Sequence, residues 1–147
     1  MSKKMSRRQA RETAFVLLFE QSFTHLTMGE ILACAVEARE FTSDEFANAL
    51  AVGAANNREE IDALITLHAK RWKKERLSRV ALSVLRLAIY EMLFCADIPV
   101  SVSINEAVEI SKIYGGEEDT AFINGVLGGV ARSLPEKQDN PQEEAQP

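Results

Sequence analysis

Residues 77–96, LSRVALSVLRLAIYEMLFCA, decide the fold class of this chain. Apolar side chains fall on almost every side of the helix that this stretch would form, and only Ser83, Arg86, Tyr90 and Glu91 interrupt them. A helix that is apolar nearly all round must be enclosed by other elements. It is too short and too charged to cross a bilayer, which needs roughly 20 predominantly apolar residues. The stretch therefore predicts the central helix of an all-α domain with no membrane association.

Arg86 is the polar residue of that helix whose environment matters most. A guanidinium group keeps its charge, and a buried charge needs a partner. We expect Arg86 to reach a carboxylate, which would be Glu91 or a glutamate of the following helix, Glu106 or Glu109. Such a pair would tie the central helix to its own next turn or to its neighbour.

Composition narrows the class of protein further. The chain has 147 residues, of which 46% are apolar, enough for one domain or two small sub-bundles. Cys34 and Cys95 lie in apolar helical patterns, so we expect buried thiols in a reducing compartment. No secretory signal is evident, which favours a cytoplasmic location. No metal-ligand spacing, nucleophile setting or paired carboxylates appear, so we predict no metal, no cofactor and no enzyme activity.

The N-terminus carries the strongest charge pattern. Five cations precede the first acid: Lys3, Lys4, Arg7, Arg8 and Arg11. The net charge is −5, so the rest of the chain carries −10. Four of the five follow i, i+3, i+4, i+7 spacing and share one face of a predicted helix over 6–21. Cations oppose the dipole at a helix N-terminus, which favours polyanion binding here over a merely solvated charged end.

Further helices are predicted on both sides of the central one. They span residues 28–40, 44–70 and 103–114, and a last helix starts near 117. Thr42 and Ser43 would cap the helix over 44–70, in which we expect close approach at Gly53, a kink at 56–57 and a satisfied packing role for His68.

The second half of the chain has its own signals. Ser103 and Glu106 have capping-box spacing, and Gly115 with Gly116 would stop that helix in left-handed conformations. In the last helix, Gly125, Gly128 and Gly129 indicate backbone-to-backbone contact, which Asn124 would bridge by a hydrogen bond. Phe122 is either a core residue or a platform for a nucleobase, and its position alone favours the core.

The charged run RWKKER at 71–76 divides the chain. We expect an N-terminal helical bundle over 1–70, which starts with the basic segment, and a C-terminal bundle over 71–134. The polar, proline-bounded residues 135–147 predict a disordered tail.

Three stretches resemble the NusB family of bacterial transcription antitermination factors. They are RRQARETAFVLLFE at 7–20, VLRLAIYEML at 84–93 and DIPVSVSINEAVEISKIYGGEEDTAFINGVLGGV at 97–130. The resemblance implies an all-α fold of two small helical bundles packed across each other. It further implies binding of single-stranded boxA RNA in ribosomal RNA leaders, jointly with the ribosomal small-subunit protein NusE. The pair would act with RNA polymerase and other Nus factors in antitermination and ribosomal RNA processing.

The resemblance also assigns roles to individual residues. The RNA-binding set would be Arg7, Arg8 and Arg11, extended by Lys3 and Lys4, with Glu118 and Phe122 near the RNA in the C-terminal half. The NusE-facing set would be Phe19, Glu75 and Ala81. Two of these depart from the family pattern, because Phe19 lacks the hydroxyl of the usual tyrosine and Ala81 stands where an acid is common. Both departures weaken the expected NusE contact.

Other functions are compatible with the same helices. The chain could be a protein-interaction or dimerisation module with an incidental basic end, and some relatives self-associate, which leaves a homodimer open. The helical module also occurs fused to a ribosomal RNA cytosine methyltransferase, for which no room follows Leu134. A membrane-surface helix is disfavoured by the acidic remainder of the chain. Co-purification with RNA would separate the first alternative from an RNA-binding factor.

Overall fold

The computed structural model describes residues 5–39, 44–69 and 77–135, with backbone alone at 36–39. Seven helices occupy these ranges: α1 (Arg7–Gln21), α2 (Met28–Arg39), α3 (Glu45–Asn56), α4 (Arg58–His68), α5 (Arg79–Phe94), α6 (Val100–Tyr114) and α7 (Glu117–Ser133). No strand occurs within these ranges, which confirms the all-α prediction. None of the described helices is both long enough and apolar enough to span a membrane.

Helix α5 is the centre of the molecule, as its sequence predicts. It packs against α1, α3, α4, α6 and α7. Val84, Leu85 and Ile89 are completely buried, because neighbours cover every side of the helix. Ser78 caps its N-terminus by accepting a hydrogen bond from the Ala81 amide at 2.9 Å. The fold is therefore built outward from this helix.

The single long helix predicted over 44–70 is wrong, because the structure divides it into α3 and α4. The break lies at Asn57, within the kink predicted at 56–57, where φ is −109° and ψ is 22°. The Asn57 side-chain amide donates to the Gly53 carbonyl at 2.8 Å, a local bond that competes with helix continuation. Thr42 and Ser43 lie outside the described residues, and Asp44 caps α3.

Gly53 confirms the expected close approach between helices. A Cβ atom built there would lie 2.2 Å from Cζ of Tyr90, so the α5 tyrosine occupies the space that a side chain would need. A glycine at this position lets α3 lie close against α5.

The predicted partners of Arg86 are wrong. Its guanidinium forms a two-pronged ion pair with Asp62 of α4, at 2.8 and 2.9 Å. Glu91 and Glu106 instead bind arginines of α1, as described below. The sequence windows around α5 do not contain Asp62, because it lies 24 residues earlier in the chain.

The start of α6 also differs from its prediction. No capping box forms at Ser103 and Glu106, because the helix already begins at Val100, directly after Pro99. Pro99 disfavours helical conformation in the residue before it, so the helix can begin only after that residue. Ser103 and Glu106 are then interior helix residues whose side chains make tertiary contacts.

The glycines between α6 and α7 are extended and not left-handed as predicted. Gly115 has φ −119° and ψ −168°, and Gly116 has φ −109° and ψ −178°. The constraint at Gly115 is steric, because an added Cβ would lie 2.7 Å from a carboxylate oxygen of Asp119. That carboxylate accepts the Gly116 amide at 3.2 Å and fixes the start of α7.

Helix α7 buries the predicted stripe Ile123, Val126, Leu127 and Val130. Its glycines do not all serve the predicted backbone contact. Space is open beside Gly125 and Asn124 is exposed, whereas a Cβ at Gly129 would lie 2.7 Å from Nδ1 of His68. His68 is a packing residue as predicted, but within the described residues its buried Nε2 has no hydrogen-bond partner.

Two further predictions concern the cysteines and the domain division. The expected burial of both thiols is wrong, because Cys34 is exposed and Cys95 is half-buried, and they form no disulfide. The division into bundles 1–70 and 71–134 stays a prediction, since residues 71–76 lie outside the described ranges, as does most of the 135–147 tail.

Candidate nucleic-acid interface

The first turn of α1 is a capped helix start that presents cations. Ser6 accepts the Gln9 amide at 3.1 Å, and the Gln9 side chain accepts the Ser6 amide at 2.9 Å. This reciprocal capping box satisfies two amides that a helix start leaves open. No acidic residue lies in this turn, which contains Arg7 and Arg8, both exposed. The cap stabilises a helix end whose charges oppose its own dipole.

Arg8 is held by a carboxylate of α6. Its Nε and Nη2 atoms donate to Oε1 and Oε2 of Glu106 at 3.1 and 2.9 Å. The Arg8 side chain remains 63% exposed, while that of Glu106 is 17% exposed. The hydrogen bond from Arg8 lowers the pKa of Glu106, so the pair is charged at neutral pH. Two parallel N–H···O bonds are the geometry in which arginine also binds a phosphate.

Arg7 has a different neighbour. Its guanidinium carbon lies 3.7 Å from the ring centroid of Phe46, near the start of α3. Arg7 is exposed, and within the described part of the chain it forms no ion pair. This arginine therefore presents its charge to solvent from an aromatic support.

Arg11 does not lie on the exposed face that its spacing predicts. Its side chain is only 7% exposed, and its Nε atom donates to Glu91 of α5 at 2.7 Å. The Ser103 hydroxyl donates to the other oxygen of that carboxylate at 2.8 Å. The predicted RNA contact by Arg11 conflicts with this burial, because the pair encloses the guanidinium. Arg11 instead anchors α1 to α5 and α6.

The opposite end of α1 is aromatic. Phe15, Phe19 and Phe23 follow one another along the helix and its loop, with ring centroids 5.9 and 5.0 Å apart. Phe23 is 59% exposed, and the Arg79 guanidinium lies 4.5 Å from its ring centroid and donates to the Ser22 carbonyl. We call Phe19, Phe23 and Arg79 the aromatic end of α1. Phe23 is not among the residues predicted from the sequence, although the spacing of four residues from Phe15 to Phe19 to Phe23 indicates it.

Tyr114 joins α6 to the middle of α1. Its hydroxyl donates to Glu12 at 2.5 Å, and its ring centroid lies 4.9 Å from that of Phe15. The hydrogen bond to Glu12 raises the pKa of Tyr114 to about 12. This contact holds the end of α6 against the middle of α1, and α7 begins three residues later in the chain. Glu118 is exposed in that first turn of α7.

Two residues that the resemblance assigns to binding surfaces lie in the core. Phe122 is 3% exposed, as its position alone predicts, and this burial conflicts with a role as a platform for a nucleobase. Ala81 is completely buried in α5, so it offers no surface to a partner. Lys3, Lys4 and Glu75 lie outside the described residues. Arg7, Arg8, Glu118 and Phe19 have accessible positions, and their functional roles stay predictions.

The arrangement suits binding of a polyanion at one end of α1. Two exposed guanidinium groups lie at that end in a chain whose net charge is −5. Side-chain cations of this kind position a nucleic acid through its phosphates without reading its sequence. The aromatic end of α1 suits a protein partner instead, because exposed aromatic and arginine side chains are enriched at interfaces.

Known proteins resemble this chain over most of its length. The chain is 47% identical to a transcription antitermination protein NusB of Heliobacterium modesticaldum over 90% of its own length and 65% of that relative. It is 41% identical to the corresponding protein of Bacillus licheniformis, over 88% of its length and 99% of that relative.

Solved structures give the same answer for the fold. T. maritima NusB superposes with a TM-score of 0.80 at 35% identity, over 96% of this chain and 99% of that one. A structure of antitermination factors NusB and NusE in complex with dsRNA superposes with a TM-score of 0.76 at 29% identity, over 87% and 97% of the two chains. A family model matches residues 8–132, and the chain therefore belongs to the NusB family.

Proposed function

We propose that this protein is an RNA-binding transcription antitermination factor. It binds boxA RNA of ribosomal RNA leaders together with NusE, and the complex promotes read-through and processing of ribosomal RNA transcripts. It has no catalytic role, and it acts in the cytoplasm on nascent RNA, with RNA polymerase and other Nus factors.

The observation that carries this proposal is the exposed basic end of α1. Arg7 and Arg8 are solvent-accessible at a capped helix start that contains no acid, although the chain as a whole is acidic. The names of relatives such as the NusB of Bacillus licheniformis support the antitermination role. The neighbouring structure of NusB and NusE with dsRNA supports the two partners.

RNA binding would begin with electrostatic attraction to this end. Arg8 can exchange its carboxylate partner for a phosphate, since both accept the same two-pronged hydrogen bonds. Lys3, Lys4 and Glu118 belong to the proposed RNA-binding set because the resemblance to the family assigns them to it. A single-stranded RNA also offers unstacked bases, whose edges and faces can then be read.

NusE would bind at the aromatic end of α1. Phe19 and Phe23 give an apolar surface there, and Arg79 adds a charge beside it. With RNA at one end of α1 and NusE at the other, this protein and NusE can together present one continuous surface to the RNA. This explains why specificity would belong to the pair, since phosphate contacts alone are poorly selective. Glu75 stays a proposed contributor, and homodimerisation over the same surface is a competing use of it.

The test measures binding of a boxA-like single-stranded RNA with and without NusE, at two salt concentrations. The variant Arg7→Gln/Arg8→Gln should bind the RNA more weakly. The slope of the logarithm of its binding constant against the logarithm of the salt concentration should be less steep by about 0.7 for each lost phosphate contact. Arg58→Gln/Arg132→Gln removes the same charge from α4 and the end of α7, and should bind as the wild type does. An equal loss of RNA affinity in both variants would mean that only the net charge of the protein matters, and not the position of Arg7 and Arg8. No RNA binding by the wild type, with or without NusE, would leave a protein-interaction module.

A further inference from the structure

The contact between Arg7 and Phe46 is more specific than a surface charge requires. At 3.7 Å between the guanidinium carbon and the ring centroid, the two groups are at van der Waals contact. A guanidinium at this separation packs with the least steric overlap when its plane lies parallel to the ring, because an edge-on group would bring an N–H closer to the ring carbons. Phe46 is itself half-buried against the core, which fixes the position of the ring.

A flat guanidinium has two faces, and Phe46 covers one of them. The other faces outward, because Arg7 is exposed. Arg8, its neighbour in the chain, is held in a different way. The two oxygens of Glu106 bind the edge of its guanidinium, which suits exchange with a phosphate. The two adjacent arginines therefore present different chemistry to the same solvent.

We propose that the outer face of Arg7, held flat by Phe46, is a stacking platform for one base of the bound RNA. The inference rests on the proposed RNA-binding function and names one of its contacts. Bases that are unstacked in single-stranded RNA pack on aromatic rings and on guanidinium planes. A base over Arg7 would complete a three-layer stack of base, guanidinium and phenyl ring. This platform replaces the one that the buried Phe122 cannot provide.

The platform assigns a role to a residue outside the basic segment. Phe46 lies in α3, 39 residues from Arg7 along the chain, and carries no charge that would mark it as an RNA contact. It would act as a positioning residue, because it touches the arginine and not the base. The guanidinium carbon of Arg11 also lies near this ring, 5.8 Å from the Phe46 centroid.

Lysine substitutions separate stacking from charge. Arg7→Lys keeps the positive charge but loses the planar group, and Arg8→Lys is the matched control at the adjacent position. The affinity of each variant is measured, in the presence of NusE, for a boxA-like single-stranded RNA. It is then measured for a series of the same RNA in which one nucleotide at a time lacks its base. The wild type should lose about 10-fold in affinity at one position of that series, as expected for one stacked base.

Arg7→Lys should bind the complete RNA with an affinity lower than that of the wild type by about the same factor. Removing that one base should then cause no further loss of affinity in this variant. Arg8→Lys should keep the position-dependent loss of the wild type. Phe46→Leu should behave as Arg7→Lys does, and Phe46→Tyr, which keeps the ring, should behave as the wild type does. Thermal melting of both Phe46 variants shows whether they fold, and Arg7→Lys tests the platform independently of them.

Failure of this inference is distinct from failure of the proposed function. If the wild type binds RNA but Arg7→Lys has the wild-type affinity and the wild-type profile over the series, the platform is wrong and the function stands. If the wild type binds none of the RNAs with NusE present, the function itself is wrong.

Discussion

The exposed side and the buried side of α1 each contain an arginine–glutamate pair, but the two pairs have different roles. Arg8 and Arg11 are three residues apart, and each binds a glutamate, at 2.9 Å on the exposed side and 2.7 Å on the buried side. The Arg8 side chain is 63% exposed, whereas that of Arg11 is 7% exposed. Burial therefore decides whether an arginine–carboxylate pair can be exchanged for a ligand or is fixed as part of the fold.

The energetic reason lies in the solvent that each pair can reach. An exposed pair competes with water and salt, so separating its partners costs little. A buried pair has already lost its hydration, and neither partner finds a substitute when the other is removed. On this basis Arg8 can give up Glu106 for a phosphate, while Arg11 cannot leave Glu91.

The largest expected effect comes from breaking the buried pair. Glu91→Leu removes the carboxylate that Arg11 and Ser103 share, and leaves a charged guanidinium and a hydroxyl buried without it. We expect the free energy of unfolding to fall by about 3–5 kcal/mol, measured by urea denaturation.

The double variant Arg11→Met/Glu91→Leu is the control for this experiment. It replaces both charges by apolar groups of similar size, so it should recover most of the lost stability. A loss below about 1 kcal/mol in the single variant would contradict the assignment, since it would mean that the guanidinium reaches water.

The sequence predicts the elements of this comparison but not their placement. Helical periodicity identifies α5 as the central helix, and charge counting identifies the basic start of α1, because both signals are local. Spacing correctly places Arg8 and Arg11 on one face of α1. Part of that face is exposed, where Arg8 lies, and part is buried, where Arg11 lies. Glu91, which decides the fate of Arg11, lies 80 residues later in the chain.

The errors share this physical cause. Ser103 and Glu106 have capping-box spacing, yet long-range partners on α5 and α1 use their side chains. Phe122 is an exception, because its position in the sequence favours the core, where it lies, and only the resemblance assigns it to the RNA. Phe46 has no local signal of its interaction with Arg7, since the contact joins α1 to α3. Local chemistry thus predicts which residues can act, and tertiary packing selects among them.

A smaller effect is expected on the exposed side, and it has the opposite sign for binding. Glu106→Gln removes the carboxylate charge that occupies Arg8, so phosphates meet less competition and less repulsion. Affinity for a boxA-like RNA should rise by roughly 2- to 5-fold, while the melting temperature at neutral pH should fall by a small but measurable amount. Glu109→Gln, which removes the same charge from a neighbouring turn of α6, is the matched control. An affinity loss in Glu106→Gln would show instead that Glu106 orients Arg8 for the RNA.

Acid should weaken this exposed pair in the wild type. Arg8 lowers the pKa of Glu106, so the pair contributes stability that is present above the ordinary pKa of the carboxyl, 4.5, and is lost as the pH falls through the lowered value. Melting temperatures of the wild type and of Glu106→Gln should therefore converge as the pH is lowered through that range.

The smallest expected effect lies at the contact between Glu12 and Tyr114, midway between the two sides of α1. The neutral Tyr114 hydroxyl donates to the Glu12 carboxylate, whereas a phenolate would be repelled by it, and this raises the pKa of Tyr114 to about 12 from its ordinary value of 10.0. A raised pKa means that the folded state holds the proton more tightly. The contribution to stability is therefore complete below pH 10 and is lost as the pH rises from about 10 to about 12.

Tyr114→Phe tests this contact, because it keeps the ring against Phe15 but removes the titrating hydroxyl. Between pH 10 and 12 its melting temperature should fall less steeply than that of the wild type. The ultraviolet absorbance of tyrosinate provides a direct titration, since only Tyr90 remains in the variant. Burial raises the pKa of Tyr90 in both proteins, so its contribution cancels in the comparison. Parallel alkaline profiles would mean that Glu12 does not hold Tyr114, and α6 would then lie against this part of α1 through ring packing alone.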